Sequence, residues 1–414
     1  MRRKGFVSIT CAFILCLTHV FVWAEPSQFP QNSTFTTLIT TPQAIEGLTG
    51  DGSGNLYTGG SGTSPCPVWK INLANPSLIQ VGFIPSSLAA SCGFTGIAFN
   101  DVGDLFAADG GAGRIYTFTP NASSPPNATI FASGIPGTNG VAFDRDGNLW
   151  TGDGTTGQGR VWKITGAGAN CTPPSPVVNC QEVFRIQPMA NEVNLINGVG
   201  GVGRDVRALP PGTITVTPTS RNAANTLGSQ PLVANGIAFN HQGDMFVIDT
   251  ARGALWKVQL DRQGNLKSPV GCDSTFAPNT LCLSNVFVAH PILEGGDGIA
   301  LDGAGNIWAD ANERNAVAVV TKDGRVTEVF RNPVNAAGLR NAADPSVGNS
   351  HILEFPTSPF ISGKIFCTAN SDGDRRDNSP RSAGEVDGGG AGQRGKISCM
   401  DQELNIPGLP LPIR

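Results

Sequence analysis

Four residues combine chemistry-bearing side chains with a shared frame: Glu46, Asn139, Asn235 and Asp297. Each directly precedes a glycine at the front of a recurring segment. The copies are "EGLTGDGSGNLYTGG" from Glu46, "TGIAFNDVGDLFAAD" from Thr95, "NGVAFDRDGNLWTGD" from Asn139, "NGIAFNHQGDMFVID" from Asn235 and "DGIALDGAGNIWADA" from Asp297. The glycine repeats while the residue before it changes. Asn-Gly pairs suit tight turns, which would account for an amide there. Glu is a poor turn residue, however, and Thr95 occupies the same frame, so the backbone does not require an amide or a carboxylate. Two carboxylates and two amides, with no sulfur and no imidazole, form a hard-oxygen set whose charge of about −2 balances a divalent cation. Such a set favours Ca2+ over zinc or copper. Without an ion Glu46 and Asp297 would repel each other. The bland alternative is a solvated polar channel mouth.

The rest of each segment says what positions these residues. A second glycine follows the first by seven residues (Gly47 and Gly54, Gly236 and Gly243), then Asn or Asp, an aliphatic and a bulky residue. That spacing reads as strand, tight turn, strand. A third strand follows at "VWKI" from Val68, "IYTF" from Ile115, "VWKI" from Val161, "LWKV" from Leu255 and "VAVV" from Val317. A fourth is clearest at "EVFRI" from Glu182, "NVFVA" from Asn285 and "EVFRN" from Glu328. Four antiparallel strands repeated along the chain define propeller blades. A sixth, degenerate copy is expected with "AAGLR" around Gly338 as its inner strand, Ala337 in the variable position, and "GKIF" from Gly363 as its second strand. The leftover "FTTLIT" from Phe35 then pairs with the last blade and removes the open sheet edges. The expected fold is all-β: one six-bladed β-propeller domain over 25–414, with a long loop insertion at about 187–234. In such a ring the innermost strands line the central channel, so their first residues converge at one face.

The first 24 residues, with Arg2, Arg3 and Lys4 ahead of an apolar run ending at Val22-Trp23-Ala24, read as a secretory signal peptide. The expected location is extracellular or periplasmic. Of 10 cysteines, Cys11 and Cys16 lie in that leader. The other eight fall into neighbouring pairs: Cys66 with Cys92, Cys171 with Cys180, Cys272 with Cys282, Cys367 with Cys399. Eight cysteines permit 105 pairings, and local pairing is the expectation. Charged residues make up 14% of the chain, below the roughly 25% of ordinary soluble domains. With a net charge of −4 and no Lys/Arg cluster, neither nucleic acid nor an anionic membrane surface is an expected partner.

The order Glu, Asn, Asn, Asp at inner-strand starts, embedded in "EGL", "TNGVAFD", "ANGIAFN" and "GDGIALD", resembles the gluconolactonase and senescence-marker-protein family of six-bladed propellers. The resemblance implies that Glu46, Asn235 and Asp297 are metal ligands. It places Asn139 beside the ion or substrate and makes Asp297 the acid/base. It also implies metal-assisted hydrolysis of a lactone or related ester, with a small molecule as partner. "EGL" stands where the family usually has Glu-Gly-Pro. A non-catalytic propeller that binds a ligand or protein around a structural ion is the alternative.

Other features carry less. The connection containing "NGVGGVGRDVRALPPG" is expected to overhang the inner-strand face as a lid; its Gly198, Gly200 and Gly203 lack the βαβ context of a dinucleotide site. "NSDGDRRDN" from Asn370 has the alternation of a calcium loop but the composition of a solvated turn. His290 is a loop histidine with a possible proton-shuttle role, and Asp109, Asp153 and Asp249 read as caps closing second strands. No G-x-S-x-G elbow supports a serine hydrolase.

Overall fold

The computed structural model describes residue 29 and residues 33–412, apart from 86–91, 173–177, 188–232, 333–351, 372–394 and the positions 275, 294, 313–314, 405 and 410. The leader, Gly338, the expected lid and most of the "NSDGDRRDN" loop lie outside the described residues. Six antiparallel sheets follow one another along the chain. Their inner strands are Ile45–Gly50, Phe94–Phe99, Thr138–Phe143, Ala234–Phe239, Gly296–Leu301 and Pro356–Ser362. These touch in cyclic order, the sixth returning to the first. The fold is a six-bladed β-propeller, with short 3-10 turns at Leu283–Asn285 and Pro291–Leu293 among the described residues.

Closure follows the expected route. Thr36–Thr40 pairs antiparallel with Lys396–Asp401 as the outermost strand of blade six, joining the two ends of the described chain in one sheet. The inner strand of that blade is Pro356–Ser362, paired with Ile365–Asn370, and not the segment around Gly338. "GKIF" does form the second strand. Blade two gains an addition the repeat did not show: Ala169–Asn170 adds to it in parallel, next to Thr129–Ser133. All four local disulfides form, and Cys171–Cys180 ties that added segment to the outer strand of blade three.

Two local rules explain the sequence repeat. At the far end of the inner strand, an aspartate in blades one, three and five, or Asn100 and Asn240 in blades two and four, builds the turn into the second strand. Asp302 Oδ1 accepts the N–H groups of Ala304 and Asn306 at 2.9 Å each, and its Oδ2 accepts Asn306 Nδ2 at 2.8 Å and Trp308 Nε1 at 3.1 Å. Asp144 does the same for Asn148 and Trp150, and Asp51 for Asn55 and Tyr57. The repeated Asp, Asn and aromatic are thus one hydrogen-bonded unit, which satisfies the indole of a fully buried Trp.

At the near end, every inner strand is interrupted by a bulge. In blade four Ala234 pairs with Asp249 and Ile237 with Val247, leaving Asn235 and Gly236 opposite the single residue Ile248. The same two-against-one register recurs in blades one, two, three and five. The glycine of that pair is needed for close approach. A Cβ on Gly96 would lie 2.2 Å from the Asn139 carbonyl oxygen, on Gly140 2.6 Å from that of Asn235, and on Gly236 2.5 Å from that of Asp297. Gly47 meets Thr95 O and Gly298 meets Thr357 O in the same way. Blade six breaks the rule with Ser358, so the glycine recurs in five copies. Gly96→Ala should therefore destabilise the protein by about 2–4 kcal/mol, because rigid backbone is in the way. Gly103→Ala, at φ +93 but facing open space, should cost about 1 kcal/mol. Urea melts of the two variants check the ranking; equal losses would refute the close-approach explanation.

Candidate functional site

The bulges place six residues on one annulus: Glu46, Thr95, Asn139, Asn235, Asp297 and, in blade six, Thr357 between the pairs Pro356–Asn370 and Ser358–Ala369. All four residues singled out from the sequence stand on it, and Asn139, Asn235 and Asp297 occupy consecutive blades. Bulges re-aim the side chains they carry, which gives every blade one side chain at the same level of the ring. Glu46 is half-buried and the other five are buried.

Hydrogen bonds sort the six. Thr95 Oγ1 donates to the Thr138 carbonyl at 3.1 Å, and Thr357 Oγ1 donates to the Glu46 carbonyl at 2.8 Å. Both hydroxyls tie one inner strand to the next, and Thr357 closes the annulus between blades six and one. Asn235 Nδ2 donates to Thr250 Oγ1 at 3.1 Å, and Thr250 in turn donates to the Gly296 carbonyl at 2.7 Å. This relay fixes the amide plane. Asn235 Oδ1 is left buried without a hydrogen-bond partner. Asp297 Oδ2 accepts Asn312 Nδ2 at 2.9 Å.

Thr250 and Asn312 hold equivalent places, each 15 residues after the ring residue it anchors. In blade three that place is Gly154, whose Cα crowds Asn139 so closely that a Cβ would lie 2.7 Å from its Nδ2. Asn139 is therefore denied the anchor that Asn235 and Asp297 have. Behind Asp297 lies Asp310, fully buried, at the place held by Gly59, Ala108, Gly152 and Ile248 in other blades. Its Oδ2 accepts the Thr368 hydroxyl at 2.5 Å, and its Oδ1 has no partner. Burial pushes the Asp310 carboxyl well above the usual carboxylate range, against the Thr368 hydrogen bond that lowers it, and the charge of Asp297 adds to the rise.

The donor set suits a hard divalent cation. It offers two carboxylates and a buried amide oxygen that lacks any donor, and buried polar atoms left without partners are rare enough to require explanation. Among the described residues no three His, Cys, Asp or Glu side chains gather as a metal cluster, so amides must contribute if an ion is held here. The features missed in the sequence are Thr250, Asn312, Asp310 and Thr357. Asp310 had a readable signal: a carboxylate in "IWADAN" at a place where the other copies carry Gly, Ala or Ile.

Asp109, Asp153 and Asp249 are turn caps, as expected. Asp109 Oδ1 accepts the N–H groups of Gly93 and Ala112, Asp153 pairs with Arg160 at 3.0 Å and Asp249 with Arg252 at 2.6 Å. His290 Nδ1 accepts the Ile292 N–H in a half-buried turn. Beyond the annulus the channel becomes apolar, with a cavity of about 90 Å³ lined by Ile97, Val141, Ile237, Ile299 and Phe360. The Leu409 N–H donates to the Leu301 carbonyl there, seating the C-terminal segment against this stretch.

Residues 199–338 match the family model of the SMP-30/Gluconolactonase/LRE-like region. The match includes Asn235 and Asp297 with their anchors Thr250 and Asn312, and ends before blade six. Among solved structures, the chain is similar to a PQQ-bound aldose sugar dehydrogenase from Streptomyces coelicolor, at 13% identity and a TM-score of 0.52, covering 90% of this chain and 99% of that one. It is also similar to a calcium-binding protein, regucalcin, from Agrobacterium tumefaciens, at 16% identity and a TM-score of 0.51, covering 92% and 96%. At these identities the likeness is one of fold. The comparison with curated proteins finds no match.

The position of Asp310 has a consequence for pH dependence. Its folded value is raised above the unfolded value of about 3.9, so its contribution to stability is intact below that pH and declines as pH rises through the folded value. In chelator-treated protein Asp310→Asn should raise Tm relative to the parent at pH 7, and the difference should vanish near pH 4. Parallel curves of Tm against pH for the two proteins would show that Asp310 is not strained by ionisation.

Proposed function

We propose that the chain is a metal-dependent hydrolase of the gluconolactonase type that opens a lactone or a related ester. The observation that carries this reading is the pair of anchored ring residues inside the family-matched region: Asp297, held through Oδ2, and Asn235, whose fixed amide presents a buried oxygen with no donor. Glu46, Asn235 and Asp297 would hold a divalent cation, with Ca2+ favoured by the oxygen donors. A cation bound there supplies Lewis-acid polarisation of the substrate carbonyl.

This chain's own side chains divide the remaining work. Asp297 accepts a proton from the attacking water at the oxygen not engaged by Asn312. Asn312 and the Thr250 relay keep the two donors from rotating, so that no reorganisation is needed as charge develops. Asn139 lacks an anchor and is left to hydrogen-bond the substrate. The four disulfides and the leader-like N-terminus support a secreted protein, extracellular or periplasmic. Among the described residues no helix is long and apolar enough to cross a membrane.

A panel of aldonolactones and aryl esters, assayed with and without chelator, tests the proposal. Turnover that chelator abolishes and Ca2+ restores is the expected result. Loss of thermal stability on chelation, with no turnover from untreated protein, would replace the hydrolase by a propeller that binds a ligand around a bracing ion. Asp297→Ala should lower kcat/KM by at least about 1,000-fold, a general-base loss combined with a ligand loss. Retained activity would remove Asp297 from the reaction.

A further inference from the structure

Asn312 does more in this structure than stand behind Asp297. Its side chain is 1% exposed, and its Nδ2 points at a carboxylate oxygen 2.9 Å away. That contact settles which end of the amide is which, because the amide oxygen turned toward the carboxylate would set acceptor against acceptor. The backbone is equally fixed: the Asn312 N–H donates to Gly295 O at 2.8 Å, and its carbonyl accepts the Asn315 N–H at 3.1 Å. Oδ1 is therefore held beside Asp297, buried and with no hydrogen-bond partner. Asn235 Oδ1, on the neighbouring blade, is in the same condition. The two blades touch at the ring, where a Cβ on Gly236 would lie 2.5 Å from the Asp297 carbonyl oxygen.

Two buried amide oxygens in adjacent blades are each fixed through their own Nδ2 and given no donor, one on the residue that holds Asp297 and one on the neighbouring ring residue. In blade four the place of Asn312 is taken by Thr250, whose hydroxyl hydrogen goes to the Gly296 carbonyl. Threonine in that place anchors the ring amide as an acceptor, whereas the ring carboxylate of blade five needs a donor, which a hydroxyl or an amide could supply. Asparagine in blade five adds an acceptor that anchoring alone does not require.

We propose that Asn312 is a further ligand of the divalent cation, contributing Oδ1 alongside Glu46, Asn235 and Asp297. This rests on the cation site proposed above. Ca2+ takes six to eight oxygens, and a fourth protein residue replaces one that water would otherwise supply. The site is then weighted toward blades four and five, where three of the four donors sit.

Isothermal titration of Ca2+ into the chelator-stripped full-length protein tests this, with the parent as reference and apo Tm as the control for folding. Asn312→Thr keeps a donor for Asp297 but loses the amide oxygen; it should weaken Ca2+ at least tenfold. Asn312→Asp keeps an oxygen and loses the donor, so its apo form should melt earlier while its Ca2+ affinity stays within about threefold of the parent or improves. Parent-like affinity in Asn312→Thr, or equal weakening in both variants, would overturn the proposal and leave Asn312 as an anchor of Asp297. A parent that takes up no Ca2+ would instead overturn the cation site itself, and this inference with it.

Discussion

The contact between a glycine in one inner strand and a backbone carbonyl in the next sets the geometry of the rest of the molecule. With separations that leave no room for a Cβ at Gly47, Gly96, Gly140, Gly236 or Gly298, adjacent blades meet backbone to backbone at the channel. The bulge lets each strand make that approach while shedding one ladder position. The residue before the glycine is then carried on a rigid, repeated backbone that places no demand on its side chain. Threonine in blades two and six uses this freedom to tie blades together, while asparagine, aspartate and glutamate are left for other work.

What separates one ring position from another is the partner behind it. Blades four and five place Thr250 and Asn312 where blades two and three have Gly110 and Gly154, and there the ring side chain is held through its polar end by the residue in that place. Anchoring removes rotamer freedom in advance and leaves the Asn235 amide oxygen buried without a hydrogen-bond partner. Asp310 extends the same polar cluster into the gap between blades five and six, at a place the other described blades fill with apolar or small residues. A buried carboxyl that resists ionisation is a structural liability, and it sits beside the one ring aspartate.

The remainder of the fold protects this arrangement from the outside. The antiparallel pairing of Thr36–Thr40 with Lys396–Asp401 leaves the ring without a seam between its ends, and the disulfides pin loops and strands on the rim. Next to the annulus lies a cavity lined largely by apolar residues, with the C-terminal segment seated against it. Polar chemistry is thereby confined to one level of the axis.

Much of this was legible in the residues alone. The strand-turn-strand segments, the third and fourth strands that follow them and the seven-residue glycine spacing recur along the chain, and recurrence exposes a blade. The contrast between an invariant glycine and its changing neighbour marked Glu46, Asn139, Asn235 and Asp297, because local signals differ from copy to copy only where the backbone allows it. The inner strand of blade six escaped, since Thr357 and Ser358 in place of the usual pair remove the glycine on which the alignment depended. Thr250, Asn312 and Asp310 escaped for a different reason. Their significance lies in what they touch, 15 residues away or in the next blade, and no local pattern encodes a contact across strands. The sequence determined the repeat, the closure and the candidate donors; the tertiary structure decided which donors are held, because that depends on close packing between blades.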